Sequence, residues 1–108
     1  MIKGGNMKKI IGGKLYNTET ATRIYSYSNG LSDRDFNNVT ERLYRKKTGE
    51  FFLHGWGGAM SKYRERCDGN MWGSGENIIP ITIEEAKEWL ERYADADAYI
   101  ECFGEPEE

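Results

Sequence analysis

The stretch RLYRKKTGEFFLHGWGGAMSKY, residues 42–63, decides the fold. Two runs rich in strand formers, Leu43-Tyr44-Arg45 and Phe51-Phe52-Leu53, flank Lys46-Lys47-Thr48-Gly49-Glu50. Aromatic and aliphatic side chains suit a pleated surface. Gly49 can take the positive φ that a tight hairpin turn demands. The stretch therefore predicts a β-hairpin with a basic turn, followed by a glycine-rich corner. Side chains alternate along a strand, so Phe51 and Leu53 share one face and Phe52 and His54 the other. Leu43 has Glu41 and Arg45 two positions away on its own face, which leaves that arm a narrow apolar strip. One face of the sheet is expected under a helix and the other partly wet.

Upstream, Arg23-Ile24-Tyr25-Ser26-Tyr27 alternates and reads as a strand, with Tyr25 and Tyr27 on one face and Ile24 and Ser26 on the other. Residues 39–46 form the next strand. Between them, Asn29-Gly30 and Asp33-Arg34-Asp35 mark a loop, which Phe36 is expected to pin to the core. Residues 9–16 read as two short extended pieces kinked at Gly12-Gly13. Residues 17–21 read as a turn, or as one helical turn capped by Asn17. The first six residues include Lys3-Gly4-Gly5, whose codons can spell a bacterial ribosome-binding sequence just before Met7-Lys8-Lys9-Ile10. Residues 1–6 are therefore expected to be a weakly ordered translated leader, with Met7 the natural initiator.

Downstream, Gly55, Gly57 and Gly58 admit two readings, a phosphate-binding loop or a wide corner carrying aromatic anchors. A P-loop ends in Gly-Lys-Ser/Thr and opens a helix. This stretch does neither, so the corner is preferred. Residues 67–77 read as a second glycine-rich loop with Trp72 half-buried, and residues 78–81 as an apolar approach to a helix. Thr82 and Glu85 then stand at the N-cap and N3 positions of a capping box, with Ile81 and Ala86 at the staple positions. Ile83, Ala86, Leu90 and Tyr93 recur at helical spacing, with Trp89 beside them, as a core stripe. Asp95 or Asp97 can cap a last short helix through Tyr99, Ile100 and Phe103, which Gly104 stops. The fold class expected is α+β: a three- to four-stranded antiparallel meander with a C-terminal helix on one face. It makes a single domain over residues 7–104, and residues 105–108 form an acidic tail.

The chain has 108 residues, room for one domain. No apolar run approaches the ~18 residues of a membrane span. Cys67 and Cys102 lack close metal spacing, and an intracellular protein with reduced thiols is expected, a disulfide between the two being the alternative. Charge is segregated. Residues 84–108 hold ten acidic and two basic side chains, net −8, and residues 1–83 carry net +5. Basic residues cluster at Arg42, Arg45, Lys46 and Lys47, and again at Lys62, Arg64 and Arg66. Such clusters suit nucleic acid or an acidic protein, or they are ordinary solvated charges. Tyr25, Tyr27 and Tyr44 are expected exposed near them, where bases could stack. The acidic helix with Glu84, Glu88 and Glu91 is either a mimic of nucleic acid for a basic groove or a solvent face suited to the helix dipole. The lone histidine, His54, expected at a strand end, could pair with Cys67 or Asp68 as base and nucleophile. No adjacent signature supports that pairing. No cofactor is expected, and the helix acids are no hard-cation cage.

LYRKKTGEFFLHGWGGAMSKY, with KLYNTETAT near the start and IIPITIEEAKEWLE near the end, resembles small proteins carried by phages, plasmids and other mobile elements of Firmicutes. Proteins of that kind include anti-CRISPR inhibitors, which bind the type II effector nuclease or its guide-RNA complex. The resemblance implies a non-enzymatic inhibitor that blocks nucleic-acid engagement. It brings no catalytic residues with it. The partner-binding residues expected from the charge pattern are Arg42, Arg45, Lys46, Lys47, Trp56, Lys62, Arg64, Glu84, Glu88 and Glu91. The alternatives are a nucleic-acid-binding regulator that uses the basic hairpin, and a small nuclease-like enzyme that uses His54.

Overall fold

The computed structural model describes residues 5–108. Most of the expectation for a leader therefore lies outside the described residues. The chain runs β1 (Lys8–Ile11), β2 (Lys14–Asn17), β3 (Thr22–Ser28), β4 (Val39–Arg45), β5 (Phe51–Gly57), β6 (Glu65–Arg66), β7 (Trp72–Gly73), β8 (Gly75–Ile81), α1 (Ile83–Tyr93) and α2 (Ala96–Phe103). The main sheet has the order β3-β4-β5-β8, antiparallel throughout. It is an α+β fold with a meander sheet and two C-terminal helices.

The β4–β5 hairpin forms as its sequence demands. Arg45 pairs with Phe51. The loop closes through Lys46 N–H to the Glu50 carbonyl (2.8 Å) and Gly49 N–H to the Lys46 carbonyl (2.9 Å). Gly49 sits at φ +92°, a left-handed conformation that side chains disfavour.

Alternation along β5 then sorts the core into two clusters. Leu43, Phe51 and Leu53 pack under Ala86, Trp89 and Leu90 of α1. Tyr44, Phe52 and Ile78 pack on the opposite face with Tyr16 of β2. There the rings of Tyr44 and Phe52 stack nearly parallel at 5.2 Å, and Tyr16 meets Phe52 edge-on at 5.6 Å.

Several elements differ from the sequence expectations. The kinked pieces before Tyr16 are a hairpin of their own, β1 with β2, turned by Gly12 and Gly13 at φ +59° and +80°. This hairpin covers the second face over Tyr44 and Phe52 and keeps that part dry. Residues 17–21 form the expected turn: Ala21 N–H reaches the Asn17 carbonyl at 3.1 Å, closing one helical-type turn, and the Asn17 side chain accepts from Glu19 N–H at 2.9 Å. The apolar approach to the helix is part of β8, the fourth strand of the sheet. Pro80 is tolerated because β8 is an edge strand and a proline lacks only an outward-facing donor there. The loop after Cys67 contains β7, which pairs with β6 in a two-residue ladder.

In β3 the register shifts between Arg23 and Tyr25. This bulge lets Ile24 join Tyr25 and Tyr27 against the helix-side core instead of facing away from them. The tyrosines are therefore not an exposed stacking platform. Tyr27 stacks on Tyr93 at 4.1 Å, Tyr25 meets Trp89 edge-on, and Tyr44 is buried. Phe36 does not anchor its loop either, being 65% exposed. Polar bonds hold the loop instead. The Asn38 amide reaches the Asp33 and Asp35 carbonyls, and the Asn29 amide reaches the Asn37 carbonyl.

The capping box of α1 is complete. Thr82 Oγ1 accepts from Glu85 N–H at 3.1 Å, and Glu85 Oε1 accepts from Thr82 N–H at 2.9 Å. Thr82→Ala removes the first of these bonds and is expected to cost about 1 kcal/mol. An unchanged urea midpoint would count against that cap. Ala86, Trp89 and Leu90 are buried, whereas Ile83 is 50% exposed, so the apolar stripe begins one turn later than its spacing suggests. Asp95 caps α2 and Gly104 ends it at φ +84°.

Candidate partner-binding surfaces

One buried carboxylate ties the sheet, the glycine corner and the helix together. Glu41 on β4 is 3% exposed. Its Oε1 accepts from Trp89 Nε1 of α1 at 2.9 Å, and its Oε2 accepts from the Tyr63 hydroxyl at 2.6 Å. Lys62 Nζ stands 2.7 Å from the same Oε2. Burial pushes the Glu41 carboxyl up, but the hydrogen bonds from Lys62, Tyr63 and Trp89 outweigh it and hold the group below its ordinary value. Burial, and then the Glu41 carboxylate, push the Tyr63 hydroxyl up, so it stays a donor. Gly55 makes the arrangement possible, because a Cβ there would stand inside the Tyr63 ring. β5 runs two residues past Gly55 and takes in Trp56 and Gly57, so only Gly58 of the three glycines lies in the corner; a Cβ at Gly57 would meet Ser61 and the Asn38 carbonyl, and one at Gly58 the Asp35 and Phe36 carbonyls.

The four hairpin cations do not converge. Arg42 lies across the Trp56 ring at 4.9 Å, on the face away from the helices. Arg45 reaches the Cys102 thiol at 3.9 Å on the helix side. Lys46 folds back on Glu50 (3.1 Å) and over the Tyr16 ring (4.2 Å). Lys47 alone points outward at the turn. Lys14, Lys46 and Thr48 surround the Glu50 carboxyl and hold it down at about 2. Trp56 is half-buried beneath Arg42. By contrast, Lys62 and Arg64 come together with Lys9 in one groove beside β8. Lys9 was not among the expected residues. It enters from β1, far away in sequence.

His54 sits inside β5, not at its end, and is fully buried. Its Nε2 is 2.6 Å from Glu76 Oε2, so neither Cys67 nor Asp68 is its partner. Burial pulls the imidazole down, against the raising pull of Glu76, and Arg42 lowers it further. The neutral tautomer that donates from Nε2 to Glu76 leaves Nδ1 as an acceptor with no hydrogen-bond partner among the described residues. Cys67 and Cys102 are both free thiols. Among the described residues no group of three or more His, Cys, Asp or Glu is placed to hold a metal ion. Nor is any helix there long and apolar enough to cross a membrane.

The two helices present the strongest uncompensated charge. All ten carboxylates of residues 84–108 are exposed, Glu84, Glu88 and Glu91 among them. Among the described residues none of the ten is in an ion pair. The two cations of the segment are occupied by rings, Lys87 over Phe103 at 5.3 Å and Arg92 over Tyr93 at 6.0 Å. Glu85 and Asp95 cap the helices, and the other eight carboxylates make no side-chain hydrogen bond among the described residues. Comparison of the chain with protein-family models, with curated proteins and with solved structures finds no match in any of the three.

Proposed function

We propose that the chain is a small non-enzymatic binding protein that inhibits a bacterial defence nuclease. It does so by laying its acidic helical layer in the groove where that nuclease engages nucleic acid. The observation that carries this reading is the layer itself: six exposed carboxylates on one pair of packed helices, Asp95 between them and three more on the tail that follows, none ion-paired among the described residues. A surface that binds a phosphate backbone must be cationic. Carboxylates left uncompensated in the fold steer association with such a surface and repel acidic competitors. Within the basic hairpin, by contrast, Lys46 is already paired and Arg42 and Arg45 face opposite sides of the sheet. The resemblance of residues 43–63, with the stretches KLYNTETAT and IIPITIEEAKEWLE, to mobile-element proteins suggests the class of partner, a type II CRISPR effector nuclease. The enzyme reading loses support because the His54 ring is fully buried.

The test is target-DNA binding by a purified type II effector, with and without guide RNA, in the presence of an excess of this protein. Loss of DNA binding at one-to-one stoichiometry, weakening as salt rises, is the expected result. Undiminished DNA binding by both forms of the effector would overturn the nuclease reading.

A further inference from the structure

We infer that the groove beside β8, bounded by Lys9, Lys62 and Arg64 and continued by Trp72 and Arg66, is a binding surface for single-stranded nucleic acid. The groove has a volume of about 400 Å³, enough for one nucleotide at a time and too small for a duplex. Its cations come from two parts of the chain: Lys9 from β1, and the short run of Lys62, Arg64 and Arg66 from the glycine corner into β6. The fold brings the two together.

Each cation is held in place without being buried. Lys9 Nζ donates to Asn77 Oδ1 at 2.7 Å, and Lys62 rests on Glu41. Arg64 lies over the Trp72 ring at 4.6 Å, with Arg66 at 5.4 Å from the same ring. Trp72 remains 45% exposed. Two carboxylates, Glu65 and Glu76, also line the groove; each is held in place by a hydrogen bond within the protein and keeps its negative charge. Glu65 Oε1 accepts from Glu76 N–H at 3.2 Å, and Glu76 Oε2 meets His54.

The pairing of a cationic track with an exposed aromatic ring is what selects the ligand class. Lysine and arginine heads take phosphates, and a tryptophan beside guanidinium planes takes an unstacked base, which a single strand offers and a duplex hides. An acidic peptide would use the cations and leave the ring without a partner. The groove adjoins the acidic layer at Lys62, which also lines the neighbouring pocket with Glu85 and Glu88 of α1, but its ligand does not depend on the nuclease reading.

The test uses the full chain and free oligonucleotides, with no nuclease present. Fluorescein-labelled RNA and DNA strands of about 20 nucleotides are titrated at about 50 and 200 mM salt, conditions over which three phosphate contacts lower affinity roughly 10–20-fold. The expected result is binding that falls by that factor, and that drops at least about tenfold in Arg64→Glu/Arg66→Glu and in Trp72→Ala. These residues are exposed, so the variants should melt like the parent. No binding at low salt, binding by either variant as tight as the parent's, or displacement by polyglutamate at equal charge would each overturn the inference.

Discussion

Glu41→Ala is expected to be the most damaging single substitution, at about 3–5 kcal/mol, the scale for removing one partner of a buried charged network. Three groups lose their acceptor at once: the Tyr63 hydroxyl, the Trp89 ring N–H and the Lys62 ammonium. Two of these donors belong to buried residues, and an unsatisfied buried donor retains its full desolvation cost. Glu41→Gln keeps an acceptor for one donor or the other and should lose less. The charge also makes a pH prediction. Because the folded carboxyl lies below its ordinary value of 4.5, its contribution is complete above that value and fades as the pH falls through it and beyond. The stability gap between the parent and Glu41→Gln should therefore narrow on acidification. Urea titrations at several pH values check both points. A parent and alanine variant of equal stability at neutral pH would remove the network from the account of the fold.

Leu90→Ala is the second large effect, at about 2–5 kcal/mol for a fully buried leucine. Leu90 packs in the cluster formed by Leu43, Phe51, Leu53, Ala86 and Trp89, so the truncation opens a cavity where helix meets sheet. The tight Tyr27–Tyr93 stack nearby leaves little freedom for the helix to settle and refill it. Thermal melts showing no loss would mean that α1 is not docked through this stripe.

The parts of the fold that were legible in the sequence are those with a local code. The β4–β5 hairpin is written in its alternation and in Gly49, and the start of α1 in Thr82 and Glu85. Asp95 and Gly104 mark the ends of α2 in the same way. What was not legible depends on partners far along the chain. Residues 78–81 look like an approach to a helix because Pro80 interrupts the strand pattern, and only pairing with β5 makes them part of a strand. Alternation put Tyr25 and Tyr27 on one face, but which face the helices would cover is a tertiary matter. The bulge that carries Ile24 to the same side leaves no local trace.

The candidate surfaces divide along the same line. The acidic layer was visible as a run of Glu and Asp, since neighbours on exposed helices stay neighbours. The basic hairpin looked equally coherent. Its residues diverge because strand alternation sends Arg42 and Arg45 to opposite faces and because Glu50 draws Lys46 back. The Glu41 network was missed. Tyr63 and Trp89 lie 22 and 48 residues from it in sequence. A glutamate two positions from Leu43 on a core face was the available signal, since such a group must find partners once buried.

The central claim is that the acidic helical layer makes the contact with the nuclease. Two charge-reversal triples separate it from the basic hairpin most directly: Glu84→Lys/Glu88→Lys/Glu91→Lys, and Arg45→Glu/Lys46→Glu/Lys47→Glu. Both are compared with the parent for inhibition of target-DNA binding by the type II effector, after circular dichroism has shown each to be folded. The account predicts that the helix triple loses inhibition by at least about tenfold, because like charges now face a cationic groove, while the hairpin triple inhibits as the parent does. Full inhibition by the helix triple together with loss in the hairpin triple would contradict it.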